Sequence, residues 1–195
     1  MKSGSDFTSP ELGSVRARAL SAASHILATR GPDKLSLRAI AESAGIGTTS
    51  IYHYFENKDA LLLNLALMGF GDLRRHIVEF QTSPEFENPM QASARAFFDF
   101  AETQPALFSL MFSERLMAHH EALREAEYET FLAYQTAVEA DDRMPAEHRA
   151  NAAFALWALG RGIAAIASSY PDGKLPPETA EKLFAGASYL INHPE

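Results

Sequence analysis

The chain has 195 residues, 47% of them hydrophobic, which is enough for one large helical domain or for a small domain joined to a larger one. It contains no cysteine, which excludes disulfides, thiolate metal sites and cysteine nucleophiles, and its net charge of −8 argues against a surface that is basic throughout. The charge is uneven, because residues 1–75 hold 9 Lys and Arg against 7 Asp and Glu, and the acidic excess lies beyond them. A chain with a mildly basic N-terminal part and an acidic remainder can still bind DNA, since affinity depends on the Lys and Arg side chains that contact phosphates.

The chain is predicted to begin with an arm and a bracing helix. Residues 1–14 are rich in Ser, Gly, Asp and Pro, a composition that is typical of a disordered arm. A first helix is predicted from Val15 to Arg30, ended by Gly31 and Pro32. Its apolar residues share one stripe, which comprises Ala19, Leu20, Ala23, Ile26 and Leu27.

Two short helices are predicted next, on either side of a glycine turn. Ser36 is a good N-cap, and the apolar positions that follow it are spaced i, i+3, i+4 and i+7, namely Leu37, Ile40, Ala41 and Ala44. Gly45 is expected to end this helix in the left-handed region, where a Cβ is costly. The second short helix is predicted from Thr48 to Phe55, with either Gly47 or Thr48 as its N-cap.

The second short helix is predicted to have one apolar and one polar side. Ile51 and Phe55 are four residues apart and are expected to face a core. The remaining side chains are small or flat and form hydrogen bonds, so they suit a groove of base edges and phosphates better than a core. They are Thr48, Thr49, Ser50, Tyr52 and His53.

A long helix is predicted from Lys58 to about Phe80, with Asn57 as its N-cap. Lys58 lies in its first turn, where a cation opposes the helix dipole. That placement is favourable if a phosphate also binds there, and the alternative is a solvated surface lysine.

Residues 20–62 resemble the DNA-binding domain of the TetR (tetracycline repressor) family of bacterial regulators. The family pattern is an apolar first helix ending in Gly, then Ile-Ala-x-x-Ala-Gly-Ile/Val, then Tyr-x-His/Tyr-Phe-x-x-Lys-x-x-Leu. The matching segments here are residues 19–31, Ile-Ala-Glu-Ser-Ala-Gly-Ile at 40–46 and Tyr-His-Tyr-Phe-Glu-Asn-Lys-Asp-Ala-Leu at 52–61. The chain departs from the pattern at Gly47, where the family often has a capping Ser.

Beyond a loop at residues 81–89 the chain is predicted to remain helical, and no stretch alternates as a strand does. Helices are predicted at 90–103, 106–118, 121–140, 146–169 and 177–191. Most of the Phe and Met residues lie beyond residue 60, where they either fill a core or line an irregular cavity.

The helix at 146–169 is rich in small residues, among them Gly160 and Gly162. A helical glycine costs about 1 kcal/mol relative to alanine, so the pair indicates that another helix approaches closely. The resemblance implies that this helix and the last one form half of a four-helix dimer interface. Close packing within one subunit is the alternative.

Residues 105–112 and the sequence Trp-Ala-Leu-Gly-Arg-Gly at 157–162 also resemble the C-terminal domain of one TetR subgroup, which has a Trp-x-x-x-His-Gly signature. Arg161 stands in place of that histidine. A buried charge needs a partner, which is either a protein carboxylate or an anionic ligand. A mostly apolar ligand site is predicted, lined by Phe98, Phe108, Met111, Phe112, Trp157 and Arg161.

Other chemistry is not predicted. His119 and His120 are adjacent on a helix, so their side chains point about 100° apart and do not converge on one metal ion. The chain lacks a P-loop, a dinucleotide fingerprint and a Gly-x-Ser-x-Gly elbow, so we expect no enzyme and no cofactor. It also shows no signal peptide and no membrane span, which predicts a cytoplasmic protein.

The sequence therefore predicts an all-α homodimer, with a three-helix helix-turn-helix head at 15–60 and a helical ligand-binding and dimerisation body at 61–195. The resemblance implies a repressor that a small effector releases from a near-palindromic operator. The alternative is a helical small-molecule-binding protein or enzyme with a vestigial head, or an interaction module. The expected DNA contacts are Ser36, Arg38 and Lys58 with phosphates, Thr48, Thr49 and Ser50 with base edges, and Tyr52 and His53 with either.

Overall fold

A computed structural model describes residues 10–170 and 173–192 of the chain, and these residues contain helices and no strand. The all-α prediction is confirmed. A short 3-10 turn, Pro32–Lys34, lies between the first two helices. The helices are α1 (Pro10–Arg30), α2 (Leu37–Ala44), α3 (Thr48–Tyr54), α4 (Lys58–Gln81), α5 (Pro89–Thr103), α6 (Pro105–Met111), α7 (Glu114–His119), α8 (Glu121–Glu139), α9 (Ala146–Ser168) and α10 (Pro177–Asn192).

The chain forms two compact units, of which the first ends at Ala66 and the second begins at Leu67. The first unit therefore includes the opening turns of α4, in which Leu61, Leu62 and Leu65 are buried. A side-chain hydrogen bond from Arg16 to Asn64 joins α1 to this part of α4.

Helix α1 begins earlier than the apolar stripe predicted. Residues 10–14, which were assigned to the arm, are helical, and residues 1–9 lie outside the described part of the chain. Proline is well tolerated in the first turn of a helix, because its missing N–H has no intrahelical partner there.

The first unit has the core that the sequence predicted. Ala19, Ala23, Ile26 and Leu27 of α1 are buried, and so are Leu37, Ile40 and Ala41 of α2 and Ile51 and Phe55 at α3. Ser36 caps α2 by accepting the N–H of Ala39 at 3.2 Å, and Asn57 caps α4 by accepting that of Ala60 at 2.8 Å.

The turn between α2 and α3 is held from both sides. Gly45 has φ 61° and ψ 40°, in the left-handed region as predicted. The Arg18 guanidinium on α1 donates to the carbonyls of Ala44 and Gly45, the latter at 3.0 Å. Gly47 is the N-cap of α3, and its carbonyl accepts the N–H groups of Ser50 and Ile51. Thr48 is the first helical residue, which settles the two alternatives in favour of Gly47.

In the second unit, the single helix predicted at 106–118 is wrong, because α6 ends at Met111 and α7 begins at Glu114. Ser113 has φ −61° and ψ 117°, an extended conformation that interrupts the helical hydrogen bonds. The break allows Phe112 to pack edge-on against Phe70, with ring centroids 5.2 Å apart. Serine readily leaves a helix, since its hydroxyl competes for backbone partners.

Two polar side chains, one buried and one half-buried, join helices of the second unit. The buried Thr130 hydroxyl on α8 lies 2.8 Å from the Ala126 carbonyl of its own helix and 3.2 Å from the Phe70 carbonyl on α4, so its one proton is shared between them. The amide of Gln81 at the end of α4 donates to Ser93 Oγ on α5 at 2.8 Å and to the Ala133 carbonyl on α8 at 3.0 Å. These bonds satisfy groups that would otherwise be costly to bury.

We expect Ile51→Ala to lower the free energy of unfolding by roughly 2–5 kcal/mol, because it removes a fully buried side chain that fixes α3. Tyr52→Ala is the matched control, since Tyr52 is the next residue and is 55% exposed. Urea unfolding followed by circular dichroism, at one fixed protein concentration, measures both. Equal losses for the two variants would contradict the packing described here.

Candidate functional site

The outward side of α3 is a continuous polar face. Ile51 is buried, whereas Thr48, Thr49, Ser50, Tyr52 and His53 are all exposed, as the sequence predicted. Their hydroxyl, phenol and imidazole groups include both donors and acceptors. The face can therefore form hydrogen bonds to base edges in a groove wide enough for a helix.

The three residues assigned to phosphates lie at the starts of α2 and α4. The Ser36 hydroxyl accepts the N–H of Ala39, and its own proton remains available to an acceptor. Arg38 is exposed in the first turn of α2, and it has no hydrogen-bond or ion-pair partner among the described residues. Lys58 is exposed and donates from Nζ to the carbonyl of Pro32 at 3.2 Å.

The bond from Lys58 to Pro32 was not expected from the sequence. It ties the start of α4 to the 3-10 turn that precedes Ser36, so residues far apart in the sequence flank one region of the first unit. An ammonium group has three protons, so this bond leaves donors for a phosphate. Lys58 has a structural role in addition to any contact with DNA.

Sequence reasoning missed Arg18. Its guanidinium reaches the carbonyls that end α2, so it positions the turn before α3. A Cβ on Gly45 would lie 3.4 Å from this guanidinium, which shows how closely the two pack. Arg18 lies on the exposed side of α1, and no local pattern distinguishes it from a solvated arginine.

The second unit contains a cavity of about 860 Å³. This volume lies within the range of small-molecule sites, roughly 300–1,000 Å³. Its buried wall is mainly aromatic: the rings of Phe97 and Trp157 are 5.1 Å apart, and those of Tyr134 and Trp157 are 5.7 Å apart. Ile163 adds an aliphatic surface. The wall can enclose an apolar molecule.

The residues predicted to line one site lie in several places. Phe98 and Trp157 line the large cavity, and Phe108 lines a smaller one of about 150 Å³, which Phe98 also borders. Neither lining includes Met111, Phe112 or Arg161. Met111 is fully buried against α4, where a Cβ on Gly69 would lie 2.6 Å from its sulfur atom.

Arg161 has a protein carboxylate as its partner. Its guanidinium donates to Glu127 Oε1 at 2.7 Å and lies 4.4 Å from the centre of the Phe112 ring. The indole N–H of Trp157 also points to Glu127 Oε1, at 3.4 Å. The sequence left two partners open for Arg161, a protein carboxylate or an anionic ligand, and in the structure its partner is the carboxylate of Glu127.

Sequence reasoning also missed Phe97, Tyr134 and Ile163 as lining residues. A usable signal was Gly160, where a Cβ would lie 3.4 Å from the Phe97 ring. The glycine brings α9 close to α5, as its helical position suggested. The aromatic residue that Gly160 contacts depends on how α9 packs against α5, and local sequence patterns do not specify that packing.

The polar groups around the cavity differ in their surroundings. Asp141 is 7% exposed and is held by Arg143, whose Nε and NH2 atoms lie 2.9 and 2.5 Å from its two oxygens. The hydrogen bond from Arg143 lowers the pKa of Asp141, and the same pairing raises the pKa of Arg143. Burial raises the pKa of Tyr134 to about 12, so its hydroxyl stays protonated.

Helix α9 is apolar on both sides. Ala153, Trp157, Ile163 and Ala164 are buried, whereas the opposite side is exposed and carries Phe154, Ala155, Ala158, Gly162, Ala165 and Ile166. In length and mean hydropathy, 1.3 over its most apolar window, α9 qualifies as a membrane span, although none was predicted. Length and composition alone are weak evidence for a membrane span, because core helices of soluble proteins pass the same test.

Comparisons with known families follow the two units. Residues 19–65 match the family model for bacterial regulatory proteins of the tetR family, and residues 90–186 match the tetracyclin repressor-like C-terminal domain. A stretch of 97 residues is 29% identical to HTH-type transcriptional regulators of Mycobacterium bovis and Mycobacterium tuberculosis. It covers 48% of this chain and 42% of each relative, so the match spans less than half the length of those proteins.

Three solved structures share the fold over nearly the whole chain. The regulatory protein SCO4313 has a TM-score of 0.74 and 20% identity, covering 94% of this chain and 98% of its own. A protein of unknown function from Rhodococcus sp. RHA1 has a TM-score of 0.70 and 24% identity, covering 96% and 97%. The multidrug binding protein EbrR, complexed with imidazole, has a TM-score of 0.62 and 23% identity, covering 95% and 93%.

Proposed function

Because the chain belongs to the TetR family of DNA-binding transcriptional regulators, we propose that it is a ligand-responsive repressor. In this proposal a homodimer binds a near-palindromic operator and releases it when a small, mostly apolar effector binds. The observation that carries the proposal is the exposed polar face of α3, held in place by a fully buried Ile51. Members of this family are regulators and not enzymes, and a DNA partner implies a cytoplasmic protein.

The proposed DNA contacts are of two kinds, those with base edges and those with phosphates. Thr48, Thr49 and Ser50, at the start of α3, are proposed to meet base edges, with Tyr52 and His53 contacting bases or backbone. Ser36, Arg38 and Lys58 are proposed to hold phosphates, which fix the register without carrying sequence information. The head is only mildly basic, so one copy would bind weakly. Two copies that enter successive major grooves, about 34 Å apart, would combine their binding free energies and so bind much more tightly than one copy.

The dimer is proposed to form through α9 and α10. Exposed apolar patches on soluble proteins commonly mark interaction sites, and α9 exposes Phe154 and Ile166. A Cβ on Gly162 or Gly186 would meet no atom of the described chain within 4 Å. These glycines leave room for the backbone of a second copy. That close approach gives a reason for glycine at helical positions where it is less favourable than alanine.

The large cavity of the second unit is proposed to hold the effector. A ligand that binds better to the dimer arrangement unable to reach both grooves shifts the population away from DNA. A structure with the same fold is described as a multidrug binding protein, which supports a small-molecule effector. Phe98 and Trp157 remain in the proposed lining, whereas Arg161, paired with Glu127, is not needed for it.

Fluorescence anisotropy of the purified protein against labelled DNA tests the proposal. The DNA is the chain's own upstream region, with a scrambled fragment as the control, at two salt concentrations. Tighter binding to the upstream region, two chains per site and a steep salt dependence are expected. If genome-wide selection of bound fragments also finds no preferred sequence, the head is vestigial and the alternative of a small-molecule-binding protein replaces this proposal.

We expect Arg38→Ala to weaken binding to all DNA sequences alike and to reduce the salt slope by about one unit. Arg38 has no partner in the described chain, so its removal breaks no internal bond, unlike that of Lys58. Arg75→Ala is the control, since it removes an exposed arginine of the second unit. The phosphate role is excluded if the two variants give the same slope as the wild type.

Thr49→Ala should change discrimination among operator variants by about 5-fold at one base position, the value of one lost hydrogen bond. Binding to scrambled DNA should not change, because Thr49 has no charge to offer a phosphate. Anisotropy against operators substituted one position at a time measures both effects. An unaltered ranking of the operator variants would rule out base reading by Thr49.

Ala158→Glu should weaken the dimer by about 100-fold or more, because the exposed Ala158 lies on the proposed contact face of α9 and two buried carboxylates would face each other. Operator affinity should fall with it. Ala122→Glu, at an exposed position of α8, controls for added charge. Sedimentation equilibrium measures the association, and a dimer as stable as the control would refute this interface.

A further inference from the structure

The proposed effector cavity carries chemical information about its ligand. We infer that it selects an uncharged molecule with an apolar, ring-containing body and one hydrogen-bond acceptor, and that the hydroxyl of Tyr134 donates to this acceptor. This inference rests on the proposed function, in which the cavity holds the effector.

The Tyr134 hydroxyl has no hydrogen-bond partner within the described chain, although most of the Tyr134 side chain is buried. Tyr134 is 5% exposed and lines the cavity, and its hydroxyl forms no hydrogen bond within the described residues. The fully enclosed side-chain polar atoms that lack partners there are Ser24 Oγ and Tyr54 Oη. The Tyr134 hydroxyl is not among them, so it is accessible, and Tyr134 lines the cavity. These two observations together support a hydroxyl that faces the cavity.

Such a hydroxyl favours an acceptor over a positive group. A tyrosine hydroxyl is protonated at neutral pH, and burial raises the pKa of Tyr134 further, to about 12, so it remains a donor. A ligand that fills the cavity displaces water from this donor, so a ligand that supplies an acceptor gains more than one that leaves the donor unpaired. The indole N–H of Trp157 offers no such selection, because it already points to Glu127.

The charged residues of the cavity do not offer a buried counter-charge. Asp141 is compensated by Arg143, which occupies both of its oxygens. The other charged lining residues, Glu87, Arg95 and Glu102, are exposed, and water screens them. A charged ligand would therefore lose its hydration without gaining a buried ion pair.

The apolar lining of the cavity is the reason to infer a ligand with an apolar, ring-containing body. Phe97, Trp157 and Ile163 are all buried, and the two rings meet edge to face at 5.1 Å. Aromatic faces attract a cation as well as a neutral ring, so the body alone does not exclude a cationic ligand. The lack of an uncompensated buried carboxylate in the described lining is what disfavours the cation.

Displacement of a neutral dye, N-phenyl-naphthylamine, from the full-length protein tests this inference. Trp157 is the only tryptophan in the chain and lines the cavity, so dye emission excited through tryptophan reports dye bound near it. The competitors are four biphenyls of similar size that carry an acetyl, ethyl, carboxylate or aminomethyl group. Ala94→Phe fills part of the cavity from α5 and should abolish dye binding.

We expect acetylbiphenyl to bind roughly 3- to 10-fold more tightly than ethylbiphenyl, and Tyr134→Phe to remove this preference while leaving ethylbiphenyl affinity unchanged. Tyr128→Phe, on the exposed side of α8, should retain the preference. Both charged biphenyls should bind more weakly than the acetyl compound. Tightest binding by a charged biphenyl, a preference that survives Tyr134→Phe, or no dye binding at all would overturn the inference.

Operator anisotropy in the presence of acetylbiphenyl separates this inference from the proposed function. If the compound binds with the expected Tyr134 dependence but DNA stays bound, the selectivity of the cavity stands and release by such a ligand fails. If DNA is released equally from wild type and Tyr134→Phe at equal ligand concentration, the donor role of Tyr134 is wrong and the release mechanism stands.

Discussion

The burial of Ile51 and Phe55 is the constraint on which the first unit depends. Helices α2 and α3 have 8 and 7 residues, and isolated helices of this length are unstable in water because nucleation is costly. They persist because their apolar residues pack with α1, while Arg18 holds the turn between them. Since α3 uses only one side for this packing, its other side is free for recognition. Stability and the exposed polar face proposed to read DNA therefore come from the same residue spacing.

The second unit meets a different constraint, because a large cavity lies among its helices. A helix beside a cavity has fewer neighbouring protein atoms on that side than in a close-packed interior, so it needs support from its other contacts. The polar bonds of Thr130 and Gln81 supply part of it, and so does the ion pair of Glu127 with Arg161. Each of these groups is satisfied outside the cavity. Among the buried polar residues of the described lining, Asp141 is paired with Arg143, which leaves the Tyr134 hydroxyl without a protein partner.

Sequence periodicity predicted most of the helices, because it reports which side of a helix is buried. It failed where the decision depends on a single residue, as at Ser113, which separates α6 from α7. Met111 and Phe112 were expected at a ligand site because of their apolar chemistry, which does not distinguish a cavity wall from the core in which Met111 is buried. The aromatic composition predicted a cavity lined by Phe98 and Trp157, but only the packing of α5, α8 and α9 shows that Tyr134 faces it. The polar face of α3 needed no such information, because local spacing alone determines it.

Helix α9 connects the two proposed activities of the second unit. Trp157, Gly160 and Ile163 border the cavity from one side of this helix, and Ala158, Gly162 and Ile166 are exposed on the other. Apolar residues on both sides raise its hydropathy to that of a membrane span, yet each side has a distinct use in the proposal. A ligand that shifts or tilts α9 must also change the face offered to a second copy, since a helix moves as a rigid element. In the proposed dimer, one short displacement would therefore be sufficient to carry the effector signal from the cavity to the subunit contact.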